Sequence, residues 1–166
     1  MNPEHARLAK MELAARHART DMLSFMQWVW WMPPTSPLII GRHTRAICNR
    51  LTRAIDDFRN GKSTYLLIDV PFRHGKSDIV SRALPAFFLG RNADMMPSVI
   101  MSGYGDDLVS GFSKDCKNIM NSDAYQFLFP DVKPDPKDDS INSWRVKGSK
   151  RMVSVAGITG GITGKG

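Results

Sequence analysis

Apolar positions in the first third of the chain follow the spacing of α-helices. Residues 4–31 are predicted to form helix, which could break at residues 20–21 and must end before the prolines within 33–37, because proline cannot continue a helix. Residues 25–31 (FMQWVWW) are apolar almost all round, which predicts burial on more than one side. Stacking of a tryptophan on a nucleic-acid base is the alternative.

The pattern then changes to a mixture of helical periodicity and short apolar runs. Residues 43–60 are predicted as a second amphipathic helix closed by Gly61, whereas residues 64–70 (TYLLIDV) are predicted as the first core strand. Residues 77–89 return to helix, and residues 98–101 make a second apolar strand. Strands and helices in alternation predict βαβ units and a parallel sheet.

The remainder of the chain contains a helix, a loop and a hairpin by the same criteria. Residues 106–120 are predicted as helix, and the prolines and acidic residues of 130–139 indicate a surface loop. Residues 144–147 and 152–156 are predicted as an antiparallel hairpin. The glycine-rich residues 157–166 (GITGGITGKG) are not expected to form a packed element by themselves.

Length and composition restrict the class of protein. A chain of 166 residues with 42% hydrophobic and 23% charged residues is predicted to fold as one globular domain. Two distant cysteines indicate buried thiols rather than a zinc site or a disulfide framework. No apolar run approaches the roughly 20 residues of a membrane span, and the N-terminus lacks the apolar stretch of a secretory signal, so an intracellular protein with no membrane partner is expected.

The charge balance indicates which partners suit the chain. The formal net charge is +7 and the isoelectric point is about 9.7. Such a charge favours a polyanionic partner, nucleic acid before membrane. A solvated basic surface is the alternative, because the basic residues form no dense block.

A candidate phosphate-binding loop follows the first predicted strand. Residues 71–77 (PFRHGKS) stand directly before a predicted helix, whose N-terminus would face a bound anion. Gly75 would let the backbone approach the phosphates, Lys76 would reach the β and γ phosphates, and the Ser77 hydroxyl would coordinate Mg²⁺. Val70 stands where the usual first glycine of this motif falls, so the loop is a variant form. The alternative is a Gly-Lys-Ser helix start that binds no ligand.

The run LLIDVPFRHGKS resembles the Pro-Pro-Arg-His-Gly-Lys-Ser loop of large terminase subunits, the DNA-packaging ATPases of tailed double-stranded DNA viruses. The resemblance covers about residues 20–166. It includes His43 before a helix, the strand and turn around residues 98–104, the Phe-Pro turn at residues 129–130, and the glycine-rich residues 157–166. Phe72 departs from the family pattern, because a second proline is common there.

The resemblance implies an α/β fold of the RecA-like P-loop NTPase class, with a parallel sheet that is incomplete at the C-terminus. Residues 1–61 would be a helical lead-in and residues 62–166 a partial ATPase core. ATP and Mg²⁺ are the implied ligands, with Ser77 on the metal. The implied binding residues are Phe72, Arg73, His74, Gly75, Lys76, Ser77 and Asp78.

Arg73 and Lys76 are the candidate catalytic residues. An arginine near the γ-phosphate stabilises the charge that develops in phosphoryl transfer, and the family uses a loop arginine in this way. An arginine that only pairs with a phosphate or an acid is the alternative for Arg73. His74 is predicted to shape the loop rather than to act as a general base.

The family also implies partners and further parts of a motor. Double-stranded DNA, a small terminase subunit, a portal protein and further copies of the chain are the implied partners, and the host cytoplasm is the implied location. The acidic Walker B strand and the nuclease domain of the family are not recognised in this sequence, since Ile68-Asp69 before the loop and Asp106-Asp107 at a helix start suit solvated or capping roles. We therefore expect the isolated chain to be inactive as an ATPase. A split nucleotide-binding module that needs a partner chain is the rival hypothesis.

Overall fold

The computed structural model describes residues 3–30, 39–150 and 152–157. A π-helical segment, Asp78–Ala83, directly precedes the fourth α-helix. In chain order, the other elements are α1 (Pro3–Ala18), α2 (Met22–Trp30), α3 (Arg42–Arg59), α4 (Leu84–Arg91), β1 (Val99–Gly103), α5 (Asp106–Asn121), α6 (Asp123–Leu128), β2 (Pro134–Asp139), β3 (Ser143–Val146) and β4 (Met152–Gly157). Across these described ranges, no helix is long and apolar enough to cross a membrane.

The chain forms two compact units rather than the single domain that its length predicts. The first unit is Met1–Ile79 and the second is Val80–Gly166. The division falls inside the π-helical segment and not at residue 61, so the candidate loop belongs to the same unit as the N-terminal helices.

Three helices build the described part of the first unit. The predicted break at residues 20–21 is confirmed, because α1 ends at Ala18 and the Asp21 carboxylate accepts a hydrogen bond from the Ser24 backbone N–H at 2.8 Å. The second predicted helix is confirmed as α3, and Gly61 follows it with φ +71°, the left-handed conformation that commonly closes a helix.

The core of this unit lies between α2 and α3. Phe25, Met26, Cys48 and Leu51 are buried there. The tryptophans of α2 are half-buried, and Trp31 lies outside the described residues. The tryptophan-rich run therefore contributes to the core mainly through its first two apolar side chains.

The strand predicted at residues 64–70 is wrong. These residues have no strand geometry and pair with no described strand, and Tyr65 and Leu67 are almost fully exposed. The physical reason is that a strand is held by hydrogen bonds to a neighbouring strand, which an apolar run does not itself provide. The described contacts of this segment include a hydrogen bond from the Thr64 hydroxyl to the Asp57 carboxylate at 3.2 Å.

The second unit contains a four-stranded mixed sheet, which confirms the α/β class. Its strand order is β1-β4-β3-β2. β1 pairs with β4 in parallel, with Val99 opposite Val153, whereas β4 with β3 and β3 with β2 are antiparallel. The predicted strand at 98–101 and the predicted hairpin are thus confirmed, but the sheet is not purely parallel as the prediction required.

One prediction in this unit is corrected, and one helix was not predicted. Residues 130–139 are not only loop, because β2 lies within them at the edge of the sheet. Its prolines are compatible with that place, since one side of an edge strand needs no ladder donor. The short helix α6 was not predicted, and the Ser122 hydroxyl caps it by accepting from the Tyr125 backbone N–H at 3.2 Å.

Helix α5 and the sheet enclose the core of the second unit. Trp144 is fully buried, and its indole N–H donates to the Ser113 hydroxyl at 3.0 Å, which in turn donates to the Ile141 carbonyl at 2.9 Å. Cys116 of α5 is a buried free thiol, and so is Cys48 of α3 in the first unit. The prediction that both cysteines are buried thiols is therefore confirmed. Residues 158–166, most of the predicted glycine-rich tail, lie outside the described residues.

Candidate functional site

The predicted phosphate-binding loop encloses a cavity. Residues 70–78 line a concavity of about 180 Å³, so the side chains and backbone of all seven predicted binding residues border one space. A mostly exposed segment without regular secondary structure precedes the loop, and a continuous helical run over residues 76–91 follows it. The helix that the motif requires is therefore present, whereas the strand before it is not.

The backbone of the loop takes the left-handed conformation twice. Arg73 has φ 63° and Gly75 has φ 73°, while His74 between them does not. Such alternation turns successive backbone N–H groups toward one side, which makes a concave anion-binding surface. Glycine adopts this φ without strain, but an arginine there costs about 1 to 2 kcal/mol. Strain of this kind is concentrated at functional sites, so the conformation of Arg73 supports a functional role for this residue.

The start of the following helix borders the same space. The Ile79 N–H donates to the Gly75 carbonyl at 3.1 Å, which is the first turn of the helix. The N–H groups of Lys76 and Ser77 precede that turn, where backbone donors have no acceptor within the helix. Together with the partial positive charge of the helix start, they favour an anion in the cavity.

Two cations border the cavity. Lys76 and Arg73 are both exposed. Over the described ranges, neither side chain takes part in a hydrogen bond or an ion pair. Their charges are thus available to a ligand. Phe72 is 97% exposed, so its ring contributes an apolar surface at the rim rather than to a core.

His74 is held by two contacts. Its Nδ1–H donates to the Phe72 carbonyl at 2.8 Å, which closes a tight turn within the loop. Its ring meets the ring of His43 edge to face, with centroids 5.4 Å apart. His43 lies in the first turn of α3 and was not predicted as a site residue. The two residues are 31 positions apart, so only the tertiary structure could bring them together.

The loop offers a small donor set for a magnesium ion. Within the described ranges, no group of three His, Cys, Asp or Glu side chains could hold a metal. Ser77 is half-buried in the first turn of the helix and offers one hydroxyl ligand. Mg²⁺ is commonly held by one or two protein ligands and by the phosphates of its substrate, so Ser77 fits an ion that arrives with a nucleotide.

The acidic pair Asp106-Asp107 lies in the second unit. The Asp106 carboxylate accepts a hydrogen bond from the Gly157 backbone N–H at 2.6 Å, where β4 ends and α5 begins. This contact ties the end of β4 to the start of α5 and was not predicted, although Asp106 is exposed, as a solvated acid would be.

Comparisons of the chain with protein-family models, with curated proteins and with solved structures find no match, so the residues and geometry of the loop carry the functional argument.

Proposed function

We propose that residues 70–78 bind the triphosphate of ATP together with Mg²⁺. The observation that carries this proposal is the cavity at the helix start, which combines a backbone with two left-handed residues and the free ammonium group of Lys76. Backbone donors, a helix N-terminus and a single flexible cation are the components of a phosphate site.

Each residue of the loop has a role in this proposal. Lys76 neutralises the β and γ phosphates, and Ser77 offers its hydroxyl to the metal. Gly75 lets the backbone turn without a Cβ, and nothing in the structure lies within 4 Å of the position that a Cβ would take. Arg73 borders the same cavity and would stabilise the charge that develops on the terminal phosphate in hydrolysis. The bound metal supplies charge neutralisation for that step.

The larger function we propose is that of an ATP-binding part of a viral DNA-packaging motor on a RecA-like fold. The resemblance of residues 66–77 and the regions around them to large terminase subunits supports it. The α/β architecture, in which β1 and β4 are parallel, is compatible with it. Double-stranded DNA, a small terminase subunit, a portal protein and further copies of the chain are the partners that this function implies.

A split nucleotide-binding module is the second candidate. Tyr65 and Leu67 are exposed in the segment that precedes the loop, and an apolar run of this kind is suited to pairing with another strand. In this alternative the chain binds ATP but hydrolyses it only when a partner chain supplies the missing carboxylates.

Titration with a fluorescent ATP analogue tests the proposal. We expect Lys76→Ala to weaken binding roughly 10-fold to 100-fold, because a hydrogen bond to a charged group contributes about 1.5 to 3 kcal/mol. Lys62→Ala is the matched control, since Lys62 is an exposed lysine of the same unit that does not border the cavity. Equal affinity in the wild type and Lys76→Ala would exclude the loop as a phosphate site.

A further inference from the structure

Helix α3 presents an unusual set of charges to solvent. Four exposed arginines fall within an arc of about 140° on its outer side, at 3.6 residues per turn. We call this surface the arginine face, and it consists of Arg42, Arg45, Arg50 and Arg53. None of the four side chains has an ion pair or a hydrogen bond with any part of the chain that the structure describes.

The stability of the helix does not account for these charges. Arg42 and Arg45 lie in the first turn, where the helix dipole favours acidic residues, and no acidic residue is present there. The acidic pair 56–57 lies near the other end, where the dipole favours bases, with Arg59 as the only base of the last turn. The order of charges is therefore largely the reverse of the one that would stabilise an isolated helix.

Neighbouring side chains on the arginine face also repel each other. Arg42 with Arg45, and Arg50 with Arg53, are like-charge pairs at a spacing of three residues, which destabilises a helix. Helix α1 shows the opposite arrangement, because Arg16 lies four residues from Glu12 and pairs with it at 3.4 Å. An external anion would relieve the repulsion on α3.

The chemistry of the arginine face selects the kind of anion. All the long basic side chains of α3 are arginines, and a guanidinium group meets two phosphate oxygens at once more readily than an ammonium group does. Arg42 and Arg53 are eleven residues apart, which is about 16 Å along the helix axis. A face that extends so far suits a linear polyanion better than a single phosphate, and duplex DNA carries one charge for every ~1.7 Å of its axis.

We propose that the arginine face of α3 binds the phosphate backbone of double-stranded DNA without reading its sequence. The choice of DNA rests on the proposed function, but the surface rests on the charges of α3 alone. None of the residues of the arginine face borders the loop cavity.

Fluorescence anisotropy with a labelled 30-base-pair duplex tests the proposal over a series of salt concentrations. The variant is Arg45→Gln with Arg53→Gln. The control is Arg7→Gln with Lys10→Gln, which makes the same change in net charge at exposed positions of α1. All four side chains are exposed and unpaired among the described residues, so we expect neither variant to unfold below the wild-type temperature.

We expect the double arginine variant to reduce the slope of log affinity against log salt by about two, since each phosphate contact contributes roughly 0.9. Its affinity at about 100 mM salt should fall between 10-fold and 100-fold, the share that two such contacts supply by counterion release. The Arg45→Lys, Arg53→Lys variant should keep the slope, because it keeps both charges.

Three results would overturn the proposal: no binding of duplex by the wild type at low salt, equal slopes for the arginine variant and its α1 control, or equal affinity for single-stranded DNA of the same sequence. The measurement contains no nucleotide. A Lys76→Ala chain that binds duplex normally and ATP more weakly would support both proposals. A wild-type chain that binds only one of the two ligands contradicts only the proposal that concerns the other ligand.

Discussion

The rings of His43 and His74 meet edge to face, with their centroids 5.4 Å apart and their planes inclined by 72°. This contact joins the first turn of α3 to the candidate phosphate-binding loop within one compact unit. His43 is positioned from its own side, because its Nε2 lies 3.3 Å from the Thr44 hydroxyl, which also accepts from the Gly41 N–H at 3.3 Å. The start of α3 thus supports the ring that closes the turn of the loop.

Removal of the His43 ring should loosen the loop without removing any group that contacts phosphate. We expect His43→Ala to weaken binding of the ATP analogue about 2-fold to 10-fold, since an aromatic pair contributes about 0.5 to 1.5 kcal/mol. His43→Phe keeps a ring in the same place and should restore most of the affinity. Equal weakening by both variants would show that the imidazole nitrogens, rather than the ring contact, are required.

The left-handed conformation of Gly75 should be needed for nucleotide binding. A Cβ at Gly75 would meet no atom within 4 Å, so Gly75→Ala acts only through its φ of 73°, at a cost of about 1 to 2 kcal/mol. We expect a roughly 5-fold to 30-fold loss of ATP-analogue affinity with an unchanged far-ultraviolet circular dichroism spectrum. Gly105→Ala is the control, because that position is also open and has no positive φ. Unchanged affinity in Gly75→Ala would contradict a rigid phosphate cradle.

Two helical glycines of the second unit should respond to alanine in opposite directions. In Gly90→Ala the new Cβ would lie 2.5 Å from the Phe129 ring, so we expect a loss of about 1 to 3 kcal/mol of unfolding free energy from overpacking. In Gly111→Ala the Cβ would enter open space on α5, so the better helix propensity of alanine should stabilise by about 0.5 to 1 kcal/mol. Urea denaturation measures both, and destabilisation by Gly111→Ala would contradict the described packing of α5.

The buried thiols should make the protein less stable in alkali. Burial raises the pKa of Cys116 from 9.0 to about 12, and burial with the nearby charge of Asp21 raises the pKa of Cys48 to about 11. Above pH 9 the unfolded chain therefore loses thiol protons that the folded chain keeps, so unfolding becomes more favourable as pH rises toward these values. Each thiol should contribute a fall of up to about 1.4 kcal/mol per pH unit.

Urea denaturation at pH 8, 9 and 10 checks this dependence. The Cys116→Ala variant should be less stable than the wild type at pH 8, because it leaves a cavity, but the difference should shrink as pH rises. A constant difference between the two proteins from pH 8 to pH 10 would show that the Cys116 thiol ionises equally in the folded and unfolded chains.

The sequence by itself predicted the long helices and the composition of the candidate site. Helices α3 and α5 were predicted to within a residue or two of their observed ends, because helical hydrogen bonds and apolar periodicity are properties of nearby residues. Residues 71–77 were identified as a loop before a helix for the same reason. A RecA-like arrangement of the whole chain stays a prediction.

Only the tertiary structure decided which strands pair and which distant side chains meet. Residues 64–70 have the pattern of a buried strand and are exposed, whereas the proline-containing residues of β2 pair with β3 at the sheet edge. The contact of His43 with His74 has no counterpart in the local sequence either. The hydrogen bonds between two strands and the contact between two rings each need a partner from another part of the chain. Neither can therefore be derived from the residues of one segment alone.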